Sequence, residues 1–175
     1  PYIHPRARQL YTDAISDKAN DSDYAAYRYA MLAGKSEGQR KKITLIDQFV
    51  RDYPRSKWVS AALLEKALTC EELGETAMAA EAYRKRLAIT PDADVDELLR
   101  AAAANDRTGD ASTEQLELLK RIRKAGSLGA DDTADLDYYE ANALSKLGRD
   151  DEADALYESL SRNPESPVGA ASAVT

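Results

Sequence analysis

Residues 67–83 read ALTCEELGETAMAAEAY, and residues 141–157 read ANALSKLGRDDEADALY. The two stretches share one register: Ala67, Cys70, Gly74, Ala79 and Tyr83 correspond to Ala141, Leu144, Gly148, Ala153 and Tyr157, at an offset of 74 residues. A weaker copy lies between them at Ala102, Asn105, Gly109, Glu114 and Leu118. Another precedes them at Ala30, Ala33, Glu37, Lys42 and Ile46, followed by Phe49 and Pro54. Small residues at these spacings let two helices approach closely. Glycine allows the chain to reverse, and an aromatic or aliphatic residue on the second helix fills the gap toward the next unit.

Outward from these stretches the pattern stays helical. Tyr24, Tyr27 and Met31 fall three and four apart, as do Leu64, Ala67 and Leu68, and Leu116, Leu119 and Ile122. No stretch sustains strand-like alternation. Short polar breaks separate helices of roughly 10 to 16 residues, the spacing of stacked antiparallel hairpins. Ser112 and Gln115 fit a capping box. Gly109, Gly126 and Gly148 sit where reversals need positive φ. Pro54, Pro91 and Pro164 each follow a predicted helix end.

Composition narrows the class. The chain has 175 residues, 43% hydrophobic and 31% charged, which is the profile of a folded domain. A single Cys excludes an internal disulfide, and a single His removes most zinc sites and histidine relays. No run is long and apolar enough for a membrane span. The net charge is −7, unevenly spread: residues 1–57 hold 11 basic and 7 acidic groups, the remainder 13 and 24. Such a chain as a whole repels polyanions, so nucleic acid is not an expected partner. Arg40-Lys41-Lys42 reads as a solvated helix start.

The small-small-aromatic register resembles that of the tetratricopeptide-repeat (TPR) family. Ala67, Ala79, Tyr83 and Pro91 match it in one unit, and Ala141, Ala153, Tyr157, Leu160 and Pro164 in another. The first unit supplies Ala30, Ile46, Phe49 and Pro54 but has Lys42 where a small residue is expected; the third has Glu114 there. The resemblance implies an all-α, right-handed superhelical solenoid of antiparallel hairpins, forming a single domain over 1–175. Its units fall at 23–56, 60–93, 95–128 and 134–167, with a tail at 168–175. Ala7, Tyr11 and Ala14 mimic the second helix of a truncated repeat over 1–19, so a fragment of a longer chain is expected. Tyr53-Pro54-Arg55-Ser56 is similar to the turns of TPR tracts in bacterial cell-envelope proteins. That likeness implies a periplasmic or outer-membrane-associated location, with the cytoplasm as the alternative.

Candidate chemistry is sparse. Cys70 falls on the packed face of its helix and reads as core filler. His4 lies in a Pro-flanked segment without a neighbouring base or nucleophile. The clusters Asp131-Asp132-x2-Asp135-x-Asp137 and Asp150-Asp151-Glu152-x-Asp154 lack a calcium-loop pattern and read as helix starts. Glu71 and Glu72 are adjacent in a helix and diverge. No phosphate loop, dinucleotide fingerprint or nucleophile elbow occurs. No catalytic, cofactor or metal residues are therefore assigned.

In the TPR family the first helix of each hairpin lines a concave groove. Carried over, those positions are Tyr24, Tyr27, Arg28, Met31 and Lys35; Leu64, Glu65, Leu68 and Glu72; Leu99, Arg100, Ala103 and Arg107; and Tyr138, Tyr139, Asn142 and Lys146. Tyrosine supplies broad contact area and a hydroxyl at low entropic cost, which suits peptide or protein recognition. Leu64 and Leu99 stand where a carboxylate clamp for chaperone tails would need polar groups. The expected function is a non-enzymatic protein- or peptide-binding scaffold without a cofactor. The alternatives are a purely structural solenoid segment of a larger assembly, or a helical enzyme or small-ligand domain.

Overall fold

The computed structural model describes residues 5–17, 21–90, 93–109, 113–125 and 128–162. Among these residues there are nine α-helices and no strand. They are α1 (Pro5–Ser16), α2 (Ser22–Ser36), α3 (Gln39–Asp52), α4 (Val59–Glu72), α5 (Thr76–Ile89), α6 (Val95–Thr108), α7 (Thr113–Ala125), α8 (Ala130–Lys146) and α9 (Asp150–Ser161). The chain divides into two compact units, Pro1–Pro91 and Asp92–Thr175. In the first, each helix from α1 to α5 packs on the next; in the second, α6 packs on α7, α8 on both, and α9 on α8. Helix α8 starts at Ala130, four residues before the repeat boundary expected at 134.

The repeated register explains the hairpins. Ala67, Ala79 and Tyr83 of α4 and α5 are almost fully buried, as are Ala141 and Ala153 of α8 and α9. Tyr157, expected to be equally buried, is only half-buried, and its hydroxyl donates to Asn142 Oδ1 at 2.5 Å. Such a partner satisfies the hydroxyl of a partly buried phenol. Gly109 and Gly148 turn the chain with φ of 76° and 72°, values that side chains with a Cβ rarely adopt. Asp94 caps α6 by accepting the Glu97 N–H at 2.8 Å. Gly126, Ser112, Pro91, Pro164, His4 and the 168–175 tail lie outside the described residues.

The two departures from the repeat pattern are absorbed locally. Lys42 fits because Gly34 faces it: a Cβ there would lie 2.8 Å from Lys42 Cδ. The Lys42 stem thus fills the space between α2 and α3, and its ammonium emerges to Glu65 at 2.6 Å. In α7, Glu114 stays exposed, and the neighbouring Gln115 turns inward to donate to the Ala102 carbonyl at 3.1 Å. The rest of the third copy keeps its register: Ala102 and Leu118 are buried and Gly109 turns the chain.

The core of the first unit gathers Ala30, Ile46, Phe49, Val59, Ala62 and Leu63 between α2, α3 and α4. Tyr27, Met31, Tyr53 and Trp58 pack against its edge. Polar side chains lace α3 to α4 and the turn after it. Gln39 donates to Glu72 at 2.8 Å, Arg40 pairs with Glu75 at 2.6 Å and Lys66 pairs with Asp47 at 2.6 Å. Two of the three residues in the basic run 40–42 are thereby occupied by acids. No helix is long and apolar enough to cross a membrane among the described residues.

Candidate functional site

Helix α2 presents Tyr24, Tyr27, Arg28, Met31 and Lys35 along one stripe, because spacings of three and four return to the same face. The structure joins that stripe to a residue outside the expected set, Trp58, in the turn entering α4. The Tyr27 and Trp58 rings stack nearly parallel, 9° apart with centroids 5.3 Å apart. Tyr24 tilts over the other side of the cluster at 5.1 Å from Trp58. Tyr27 also meets Phe49 at 6.0 Å, and Phe49 meets Tyr53 at 5.8 Å. Five rings thus run from the buried Phe49 to Tyr24, which is 39% exposed.

The turn that carries Trp58 is pinned from α2. The Ser56 hydroxyl donates to Asp23 Oδ2 at 2.7 Å, and the Trp58 N–H donates to Ser56 Oγ at 3.2 Å. Asp23 Oδ1 also accepts the Tyr24 N–H at 2.7 Å. One carboxylate therefore links the backbone at Tyr24 to the turn that carries Trp58. Cations flank it: the Arg28 guanidinium lies 6.0 Å from the Tyr24 ring centre, and Lys57 Nζ lies 5.1 Å from that of Trp58. The sequence signal for Trp58 is its place just after the Tyr53-Pro54-Arg55-Ser56 turn, which faces the start of α2.

The expected groove residues of α4 behave differently. Glu65 and Glu72 are engaged by Lys42 and Gln39 of α3. Leu64 and Leu68 are half-buried. In the second unit, Arg100 pairs along its own helix with Asp96 at 3.1 Å, and Leu99 is half-buried. A second polar cluster forms where α8 meets the end of α6. Asn142 Nδ2 donates to Asp106 Oδ1 at 3.0 Å, Lys146 Nζ donates to the Asp106 carbonyl at 3.2 Å, and Tyr157 donates to Asn142. Tyr138 and Tyr139 meet at 6.0 Å beside it, and the charges of Asp106 and Arg107 act on Tyr139. On α7, Arg123 reaches both Asp137 and Glu140 at 2.5 Å.

Asn142 holds two partners that would otherwise remain half-satisfied. Asn142→Ala is expected to destabilise the second unit by about 1–3 kcal/mol. Equilibrium unfolding in urea checks this, and a change below about 0.5 kcal/mol would mean that water replaces the amide fully.

Burial pushes the phenols of Tyr27, Tyr139 and Tyr157 above their ordinary value of 10.0. Nearby acids add to this, with Glu65 next in importance for Tyr27 and Asp135 for Tyr139. The native protein then holds these protons more tightly than the unfolded chain. The associated stability is fully present below pH 10.0 and is lost as pH climbs through the raised native values. Denaturation midpoints are expected to fall as pH rises above 10.0, with a shallower fall in a variant carrying Phe at all three positions. Equal slopes in both proteins would refute the assignment.

Cys70 is fully buried, and burial pushes its thiol up, which disfavours the thiolate. Among the described residues no group of three or more His, Cys, Asp or Glu side chains could hold a metal. One acid of each cluster is engaged locally: Asp132 accepts the Gly129 N–H at 3.1 Å, and Glu152 pairs with Arg149 at 2.6 Å. A cavity of about 210 Å³ lies between α1, α2 and α3, lined mainly by Ile15, Ala26, Tyr29, Leu45, Phe49 and Tyr53. It is smaller than the roughly 300–1,000 Å³ usual for small-molecule sites. No family model matches the chain, and no curated protein aligns with it significantly.

Proposed function

We propose that this chain is a non-enzymatic scaffold that binds a protein or peptide on the first helices of its hairpins. The hairpins of each unit are read as turns of a right-handed, TPR-like solenoid. The observation that carries this reading is the ring cluster of Tyr24, Trp58 and Tyr27, which remains partly open at the surface and is held rigid by Asp23 and Ser56. Rigid aromatic side chains offer contact area at little entropic cost and dominate many interfaces.

A second reading, a purely structural segment of a larger assembly, is favoured by Glu65, Glu72, Asn142 and Lys146. Each of these expected groove residues is engaged by a neighbouring helix. Affinity capture from native lysate separates the two. The scaffold reading expects a partner that is lost with Tyr24→Ala while circular dichroism stays unchanged. No partner, or one indifferent to Tyr24 and Tyr138 together, favours the structural reading. Turnover of a substrate that a single polar substitution abolishes would overturn both.

The location is proposed as the bacterial cell envelope, on the likeness of the Tyr53-Pro54-Arg55-Ser56 turn alone. Fractionation of the full-length protein wholly into the cytosol would refute it.

A further inference from the structure

We infer that the ring cluster of the first unit recognises a short acidic segment in which an aromatic side chain stands between carboxylates. This rests on the scaffold reading and adds the chemistry of the partner. The aromatic part follows from Tyr24 and Trp58. Their rings meet at 40°, and together with Tyr27 they leave a partly exposed apolar surface backed by the buried Phe49. An incoming ring can stack or tilt there as these rings do with each other.

The acidic part follows from charge. The Arg28 guanidinium lies over the Tyr24 ring and Lys57 Nζ over that of Trp58, and neither has a carboxylate in ion-pair reach among the described residues. Two acids of the region are already engaged: Asp23 accepts from Ser56 and from the Tyr24 N–H, and Glu65 is paired with Lys42. Both cations thus keep their charge available to a partner. They also sit in the part of the chain with excess positive charge, residues 1–57. Other cations of the region, such as Arg40 and Lys42, are drawn to acids of α4 and its following turn.

Aromatic rings beside cations also suit single-stranded nucleic acid. The observations favour a peptide because the chain carries a net charge of −7 and, among the described residues, these two cations are the ones that border the rings. A polyanion binder gathers many phosphate contacts.

Trp58 is the single tryptophan of the chain, so its emission reports on this place directly. The full chain is titrated with a synthetic peptide holding one Phe between Asp-Glu pairs. The expected result is a saturable change in Trp58 emission. Arg28→Glu combined with Lys57→Glu should weaken the apparent Kd at least about tenfold with helical content intact. Raising salt from about 0.05 to 0.5 M should weaken it several-fold, and Tyr24→Ala should weaken it about fivefold or more.

The inference is overturned by equal affinity for a peptide with Lys in place of the acids, or by tighter binding of oligothymidine. It is equally overturned by an unchanged Kd in the double variant, or by no emission change at saturating peptide. Each of these removes the acidic segment as partner. None of them touches the scaffold reading, which capture and turnover test, so the two failures are distinguishable.

Discussion

Phe49→Ala is expected to destabilise the first unit by about 3–5 kcal/mol. Phe49 is only 2% exposed and stands at the centre of the core made with Ala30, Ile46, Val59, Ala62 and Leu63. Its ring also touches Tyr27 and Tyr53. Truncation removes the transfer energy of the ring and leaves a hole that three helices cannot close without shifting. Trp58 emission follows unfolding of this unit, and far-ultraviolet circular dichroism follows the helices of both. A Leu substitution keeps most of the volume and should cost less than half as much. The larger loss should appear as a lower denaturant midpoint in the Trp58 signal. A shift worth under about 1 kcal/mol would mean that the core re-forms around the gap. Tyr83, 1% exposed on α5, should respond on the same scale, and half-buried Tyr157 should not.

The difference between Tyr83 and Tyr157 marks how far the sequence can be read. Repeat register assigns both to the same place. It does so correctly for Ala67, Ala79, Ala141 and Ala153, because a small residue at a helix crossing has little choice of position. A tyrosine has a hydroxyl with needs of its own, and Asn142 satisfies it for Tyr157. Long polar side chains are harder still. Periodicity places Glu65 and Glu72 on one face of α4, but their reach to Lys42 and Gln39 depends on how α3 lies beside them. Lys42 breaks the repeat pattern in sequence, and only the bare Cα of Gly34 opposite it explains how it fits. Trp58 escapes because it sits in a turn, where helical spacing carries no information. The site residues that local spacing does identify are those of α2, where Tyr24, Tyr27 and Arg28 share one helix face.

The Lys66–Asp47 pair gives the other large expected effect. Lys66 lies within the core-facing stripe of α4, with its side chain only 9% exposed, and its ammonium meets Asp47 of α3 at 2.6 Å. Asp47 keeps 45% of its side-chain surface. The ammonium is thus the desolvated partner, and the carboxylate screens it from the apolar surroundings. Asp47→Ala removes that screen and should destabilise the first unit by about 2–4 kcal/mol, less than a fully enclosed pair because solvent reaches the carboxylate side. Lys66→Met keeps the length of the stem and removes the charge. It should be near neutral, since half-exposed Asp47 can return to water at little cost. In the Lys66→Met background, Asp47→Ala should then cost about 0.5 kcal/mol or less, leaving a coupling energy of about 1.5–3.5 kcal/mol in the double-mutant cycle. The four proteins are compared by urea unfolding at neutral pH. If Asp47→Ala costs no more with Lys66 present than in the Lys66→Met background, the ammonium has found another outlet. Glu81, whose carboxyl feels the Lys66 charge, is the acid to which it would turn. Adding Glu81→Gln to Asp47→Ala would then restore the full loss.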